Sequence, residues 1–378
     1  MSRLFVLLLT VFAPLCYAGE KPDILLGQVV SVSSPLVGDI SNELKSGYEA
    51  YFAQVNEQGG IHGRKIRLLQ KDDGYVANKT LALTRELIEV DNVVALVGYL
   101  GTPGPSLIVK DNLLARSDIA LIGPSTGVSS LLAEKNVFPV RASYEAELAE
   151  IVAHSKAMQR KRVALVAWSA GAGPLLADAF PQIVRDGGLE LVYRKLFETA
   201  PRVEGMTKAL EEAIAPLREI RPDAIVLIAG GTALYEAIRQ LRAYLPATVP
   251  VYTISSVNWQ DLIKNLGVRQ AQGIVISQAV PYPYSPRLPI VKSYLEQMRR
   301  MGRSANYYSL EGYLGGAVTA EALRRAGPEP TRRGVVAALY RMGRQEFGGF
   351  EVNYSATRRQ GFGKPETTLI TSQGTLLR

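Results

Sequence analysis

Two short stretches carry residue types suited to holding a small polar molecule. They are ALVGYLGTPGPS, Ala95–Ser106, and IALIGPSTGVSS, Ile119–Ser130. Each runs from an apolar strand into a neutral turn bearing hydroxyls and glycines: Thr102 in the first, Ser125, Thr126 and Gly127 in the second. Backbone N–H groups and hydroxyls at strand-to-helix turns, helped by the helix dipole, suit an anionic or carbonyl oxygen. The same residues would also serve as plain helix caps, with Pro and Gly shaping the turn. Sequence alone leaves both roles open.

Other chemistries find few residues to work with. The chain has two histidines. His62 sits in a glycine-rich helix-to-strand loop and His154 on a charged helix. Neither is set among partners at ligand spacing, so neither a metal site nor a cofactor is expected. WSAGAGP, residues 168–174, follows a strand but lacks the G-x-S-x-G elbow of a hydrolase and the third glycine of a dinucleotide fingerprint. Asp72-Asp73-Gly74 would serve as an acid–base pair or, more simply, as a solvated turn. No enzyme is expected.

Residues 1–18 read as a cleavable secretory signal, with Arg3, an apolar core from Leu4 to Ala13 and small residues before a cut after Ala18. The one cysteine, Cys16, lies within it, so the mature chain is expected to have no disulfide. About 360 residues remain, enough for two domains. The formal charge of +8 comes from the last quarter, where fifteen basic residues from Arg287 onward face seven acidic ones. Arg299-Arg300, Arg324-Arg325 and Arg332-Arg333 fall on helical stretches with little aromatic interleaving. That reads as a solvated face or a docking surface for a protein, and no nucleic-acid partner is expected.

Short apolar runs alternate with amphipathic stretches. Strands are expected at 24–30, 65–72, 93–98, 119–123, 162–168, 189–196, 224–230, 249–254 and 273–280. Helical periods cover 78–90, 144–158, 173–186, 205–220, 232–244, 288–301 and 308–326, besides the one ended by Gly59-Gly60. Near-continuous apolar strands joined by helices mean parallel sheets covered on both faces. The pattern restarts after Arg141, so the expected fold is α/β with two doubly wound lobes. Ligands of such sheets bind beyond the carboxyl ends of the strands, where Thr102 and Ser125 would stand.

Six motifs follow one another in a familiar order: NEQGGIHGRKIRLLQKDDGY, LVGYLGTPGPS, IALIGPSTG, FPVRASYEAE, GIVISQAVPYP and YYSLEGYLGGAVTAEALRRAG. Over residues 22–375 the chain resembles the solute-binding proteins of ABC importers in the leucine/isoleucine/valine-binding protein family. The resemblance implies two lobes joined by three crossing strands that close over a ligand. Crossings are expected near 141–143, near 278–280 and between 344 and 350. Lobe I would then comprise 19–141 and 279–345, and lobe II 142–278 and 346–378. It further implies a periplasmic monomer that holds a small molecule, a carboxylate, amide or amino-acid-like solute, and delivers it to an inner-membrane ABC permease. A sensor of the same fold signalling to a membrane receptor is the alternative.

In amino-acid binders of that family the turns matching Thr102 and Ser125–Gly127 hold the ligand carboxylate. The acid that receives the ligand's ammonium group belongs in the turn after VPVYTI. Here that turn offers only Ser255, Ser256 and Asn258. Ala172 stands where an aromatic residue is common, and Tyr75 and Gly101 stand near the family's cysteines. The expected ligand-binding set is Tyr99, Thr102, Ser125, Thr126, Gly127, Trp168, Ala172, Thr232 and Ser256. Trp168, Tyr99 or Trp259 would stack on an aromatic ligand. A carboxylate lacking an α-ammonium fits better than leucine, unless Glu236, Asp261 or Glu311 supplies the missing acid.

Overall fold

The computed structural model describes residues 21–198, 203–246 and 248–378. The expected signal segment and Cys16 lie outside the described residues.

The strands are β1 (Ile24–Val30), β2 (Ile66–Asp72), β3 (Ala95–Val97), β4 (Leu121–Ile122), β5 (Val137–Phe138), β6 (Arg162–Trp168), β7 (Glu190–Phe197), β8 (Ala224–Ile228), β9 (Val251–Thr253), β10 (Ile274–Gln278), β11 (Gly343–Phe347), β12 (Phe350–Tyr354), β13 (Arg359–Gln360), β14 (Glu366–Ile370) and β15 (Leu376–Leu377). Among the described residues one sheet runs β2-β1-β3-β4-β5, parallel throughout. The second repeats that order as β7-β6-β8-β9-β10, also parallel. In both, the first strand of the lobe lies between the second and third, so the chain switches direction beside it. That is where a crevice opens at the carboxyl ends of doubly wound sheets. The apolar reading of these strands reflects burial on both faces: every residue of β8 is buried.

Helix Tyr307–Ala326 completes the first lobe by lying across helix Gly38–Glu57. The close approach requires glycine at Gly47, because a Cβ there would sit 1.9 Å from the Ser309 carbonyl oxygen. A contiguous core joins Leu26, Leu44, Tyr48 and Phe138 to Tyr294, Leu314 and Leu323. Its counterpart in the second lobe joins Val166, Leu227 and Ile276 to Leu210, Leu234 and Leu262.

The last stretch of chain departs from expectation. β11, β12 and β13 form their own antiparallel sheet, and Phe350, Val352 and Tyr354 enter the first-lobe core. Residues 350–354 therefore pack with the first lobe, and β13 lies beside β5. The third crossing falls beyond them instead of at 344–350. The Phe362 N–H donates to the Val140 carbonyl at 2.9 Å, beside the Ala142 N–H that donates to the Ala279 carbonyl at 2.9 Å. From there the chain enters β14, which pairs antiparallel with β10, and β15 beyond it. The reason lies in side-chain alternation: FEVNY buries Phe350, Val352 and Tyr354 on one face and keeps Glu351 and Asn353 on the other.

Several arginines of the basic quarter are paired with acids. Arg300 pairs with Glu57, Arg324 and Arg325 with Glu321, and Arg333 with Asp118. Arg332 donates to the Val93 carbonyl at 2.9 Å. Exposed pairs of this kind contribute little each.

Candidate functional site

A cavity of about 160 Å³ opens between the carboxyl ends of the two sheets. Leu100, Gly101, Thr102 and Pro103 follow β3 into it, and Ser125 follows β4. Opposite them stand Trp168 at the end of β6, Gly171 and Ala172 after it, Ile228–Gly231 at the end of β8, and Ile254 and Ser256 after β9. Leu36, Val37 and Ile40 close one side.

The two hydroxyl-bearing turns of the first lobe lie against one another. Leu100 and Ser125 form a parallel bridge; the Ser125 N–H donates to the Tyr99 carbonyl at 2.8 Å and the Gly101 N–H to the Ser125 carbonyl at 3.0 Å. These backbone donors are spent within the protein and not offered to a ligand. Thr102 occupies the N-cap position of helix Pro103–Lys110 but makes no side-chain cap bond. Its hydroxyl meets that of Thr126 at 2.8 Å. The capping account of Thr102 therefore fails.

The expected set divides. Thr102, Ser125, Trp168, Ala172 and Ser256 line the cavity. Tyr99, Thr126, Gly127 and Thr232 do not. Tyr99 is buried in the core, where Thr84 donates to its hydroxyl at 3.1 Å. Thr126 is fully buried behind Thr102. Gly127 is a support: its carbonyl accepts from the Tyr144 N–H at 2.7 Å, and a Cβ would lie 2.6 Å from the Tyr144 ring. Thr232 is exposed on helix Gly231–Tyr244, and the neighbouring Gly230 and Gly231 face the cavity in its place. Trp259 is also occupied elsewhere, donating its indole N–H to the Tyr284 hydroxyl at 2.9 Å. Tyr75 and Gly101, near the family's cysteine positions, are in contact, with the Tyr75 ring lying over Gly101.

Sequence reasoning missed the floor. Arg141, Tyr144 and Tyr308 line the cavity there. Arg141 is 2% exposed and bonds Glu147 at 3.1 Å, Glu311 at 3.4 Å and the Ser255 hydroxyl. Its guanidinium lies over the Tyr144 ring, 5.1 Å from the centroid. Ser255 donates both its N–H and its hydroxyl to Glu147 at 2.7 Å, and the Tyr308 hydroxyl donates to the Ser255 carbonyl at 3.0 Å. Burial pushes the Glu147 carboxyl up to about 7 against the pull of Arg141, and pushes Glu311 up as well. Helix Tyr144–Ala157, helix Tyr307–Ala326, the first crossing and the turn after β9 thus meet on one buried cation. The only signal in sequence was the placement of Arg141 at a crossing.

Glu236, Asp261 and Glu311, the candidate partners for an ammonium, stay off the cavity wall. Glu236 pairs with Arg239 on its own helix, Glu311 is turned to Arg141, and Asp261 lies near Glu43 and Asp39. Across that second junction the Asn258 side chain donates to Glu43 at 3.3 Å. Burial, with the charges of Asp261 and Asp39 added, pushes Glu43 up to about 7. Both histidines do structural work, His154 against the Tyr252 hydroxyl at 3.0 Å and His62 against the Arg324 carbonyl at 3.2 Å. Asp73 is a buried hub and no solvated turn, accepting from Ser31 at 2.6 Å and from the Tyr75 N–H at 2.7 Å.

A doubly wound pair of lobes with a cavity at facing strand ends defines a class of binding protein, and comparison with known proteins places the chain within it. The profile of the periplasmic binding protein family matches residues 23–365, and the chain belongs to that family. It is 28% identical over 186 residues to a Leu/Ile/Val-binding protein homolog 3 of Brucella melitensis, covering 48% of each chain. The chain thus spans about half the length of that relative. An amino acid binding protein of Pseudomonas aeruginosa is 24% identical over 82% of this chain and 81% of its own. Among solved structures, a substrate-binding periplasmic protein from Ralstonia solanacearum superposes with a TM-score of 0.83 at 26% identity, over 94% of this chain and 99% of that one. These relatives are binding proteins, not enzymes.

Proposed function

We propose that this protein is a monomeric periplasmic receptor that carries an apolar carboxylate to an inner-membrane ABC permease, closing its two lobes over the solute. The observation that carries the reading is the wall of the cavity: Thr102, Ser125 and Arg141 supply donors, while among the described residues no Asp or Glu lines it. A buried ammonium without a counter-charge is strongly disfavoured, because an unpaired ion loses its hydration with nothing in exchange. Trp168, Ile228, Ile254 and Ala172 give the second-lobe wall an apolar surface for the body of the solute. Family membership supports the receptor role and the periplasmic location. The relatives' amino-acid names do not decide the ligand, since the turn after β9 carries serines where an acid would be needed.

A thermal-shift screen over aliphatic and aromatic monocarboxylates, amides, dicarboxylates and amino acids tests this. A ligand at one hundred times its Kd adds about 2.7 kcal/mol of stability, so the true class stands out. Monocarboxylates should raise the Tm. A response confined to amino acids or to dicarboxylates contradicts the proposal.

A further inference from the structure

The cavity floor sharpens the carboxylate-receptor proposal into a docking mode, which rests on that proposal. Arg141 spends its two terminal nitrogens on Glu311, Glu147 and Ser255, yet its Nε–H is buried and has no partner in the protein. Ser125, on the same cavity and 2% exposed, has a buried hydroxyl that makes no ordinary hydrogen bond, although it lies close enough to Glu311 to favour that carboxylate. Leaving a buried donor unmade costs free energy, most of all when it belongs to a charged group. An acceptor arriving from the cavity relieves it, and a carboxylate oxygen does so best through a charge-assisted bond.

Charge must then balance. The floor already holds one cation and two carboxylates, all buried. A third carboxylate would leave two negative charges in excess in a dry site. The titratable groups that face this point are Glu147 and Tyr144 on one helix, Tyr308 and Glu311 on another, Tyr48 on helix Gly38–Glu57, and Arg141 itself. Burial pushes all three tyrosines further up, so they stay neutral, and Arg141 stays charged between its acids. The glutamates remain as the acceptors of a proton.

We propose that the solute's carboxylate docks on the Arg141 Nε–H and the Ser125 hydroxyl, and that the Glu147–Glu311 pair takes up a proton as it arrives. Solute binding is thereby linked to pH: the anion binds more tightly as pH falls, until the solute itself is protonated. Selectivity against amides arises from the same charge pairing.

The test uses 4-methylpentanoate and 4-methylpentanamide, which differ only in the docking group, titrated calorimetrically into the mature protein in phosphate and in Tris buffer. The acid should bind about tenfold more tightly than the amide, the difference between a charge-assisted and a neutral hydrogen bond. Its heat should differ between the buffers in the sense of proton uptake, while the amide's should not. Ser125→Ala should weaken the acid more than the amide, and Glu311→Gln should tighten the acid and shrink the uptake. Arg141→Lys, if it folds, should narrow the acid–amide ratio; the Ser125 and Glu311 variants decide the matter if it does not. Equal binding of the two probes, or acid binding without proton uptake, overturns this docking mode alone and leaves the receptor reading intact. If neither probe nor any monocarboxylate of the screen binds, the solute class falls and the docking mode with it.

Discussion

The first sheet reaches the cavity through Gly101–Pro103 and Ser125, the second through Trp168, Ala172, Ile228 and Ser256, although both follow one strand order. Equal topology puts equal strand ends around the crevice, and the loop residues alone make one wall polar and the other apolar. The polar wall continues downward into a buried ionic floor, where Arg141 draws together elements of both lobes. The second-lobe wall joins the same floor only through Ser255, beside Ser256 in the turn after β9. A solute with one charged end and one greasy end matches that division; a zwitterion with two charges on one carbon does not.

The largest effect on the polar side should come from Arg141→Leu. Two carboxylates would lose their buried counter-charge, which typically costs about 3–5 kcal/mol. Urea denaturation should show that loss near neutral pH and a smaller one at pH 5, where Glu147, carried up to about 7, is neutralised by a proton instead of by arginine.

The wild-type protein should itself be pH-sensitive, through Glu43 and Glu147. Both are carried up to about 7 by burial, from an ordinary value of 4.5. The folded chain therefore holds protons that the unfolded chain releases between about 4.5 and 7. Stability should be greatest below that window, fall as pH rises through it and level off above. Glu43→Gln should flatten part of the slope in a series of Tm measurements from pH 5 to 8. A Tm that rises steadily across this range would contradict the assignment.

On the second wall, Ser256→Asp should restore an acid to the turn after β9. A charge-assisted bond to an ammonium contributes about 1.5–3 kcal/mol, so the variant should gain affinity for leucine and lose it for the matching ammonium-free acid. Smallest of all should be Thr102→Ala, which removes the hydroxyl that meets Thr126 at 2.8 Å. It should weaken solute binding by about 0.5–1.5 kcal/mol, the range for one neutral hydrogen bond, with the melting temperature unchanged. A lower Tm with unchanged affinity would make Thr102 a purely structural residue.

Legibility in the sequence depended on how local each signal was. β1, β6 and β8 are continuous apolar runs and could be read directly, as could the helices packed on them. β11–β13 could not, because GRQEF and FEVNY interleave charged residues with apolar ones and sit beside each other only through the Gly348-Gly349 turn. That omission displaced the third crossing. At the site, residues at or just past strand ends, such as Trp168, Thr102 and Ser125, could be found by following the strands. The floor was hidden because Arg141 meets Glu311 across 170 positions and Ser255 across 114. Tyr99 was misjudged by its adjacency to a cavity-lining turn; its ring points the other way, into the core.

A cleft built in this way should accept a carboxylate and refuse an ammonium. Calorimetric titration of leucine and of 4-methylpentanoate, the same skeleton without the ammonium group, tests that most directly. The acid should bind and leucine should give weak heats or none. Tight leucine binding with no response to the acid would contradict the claim.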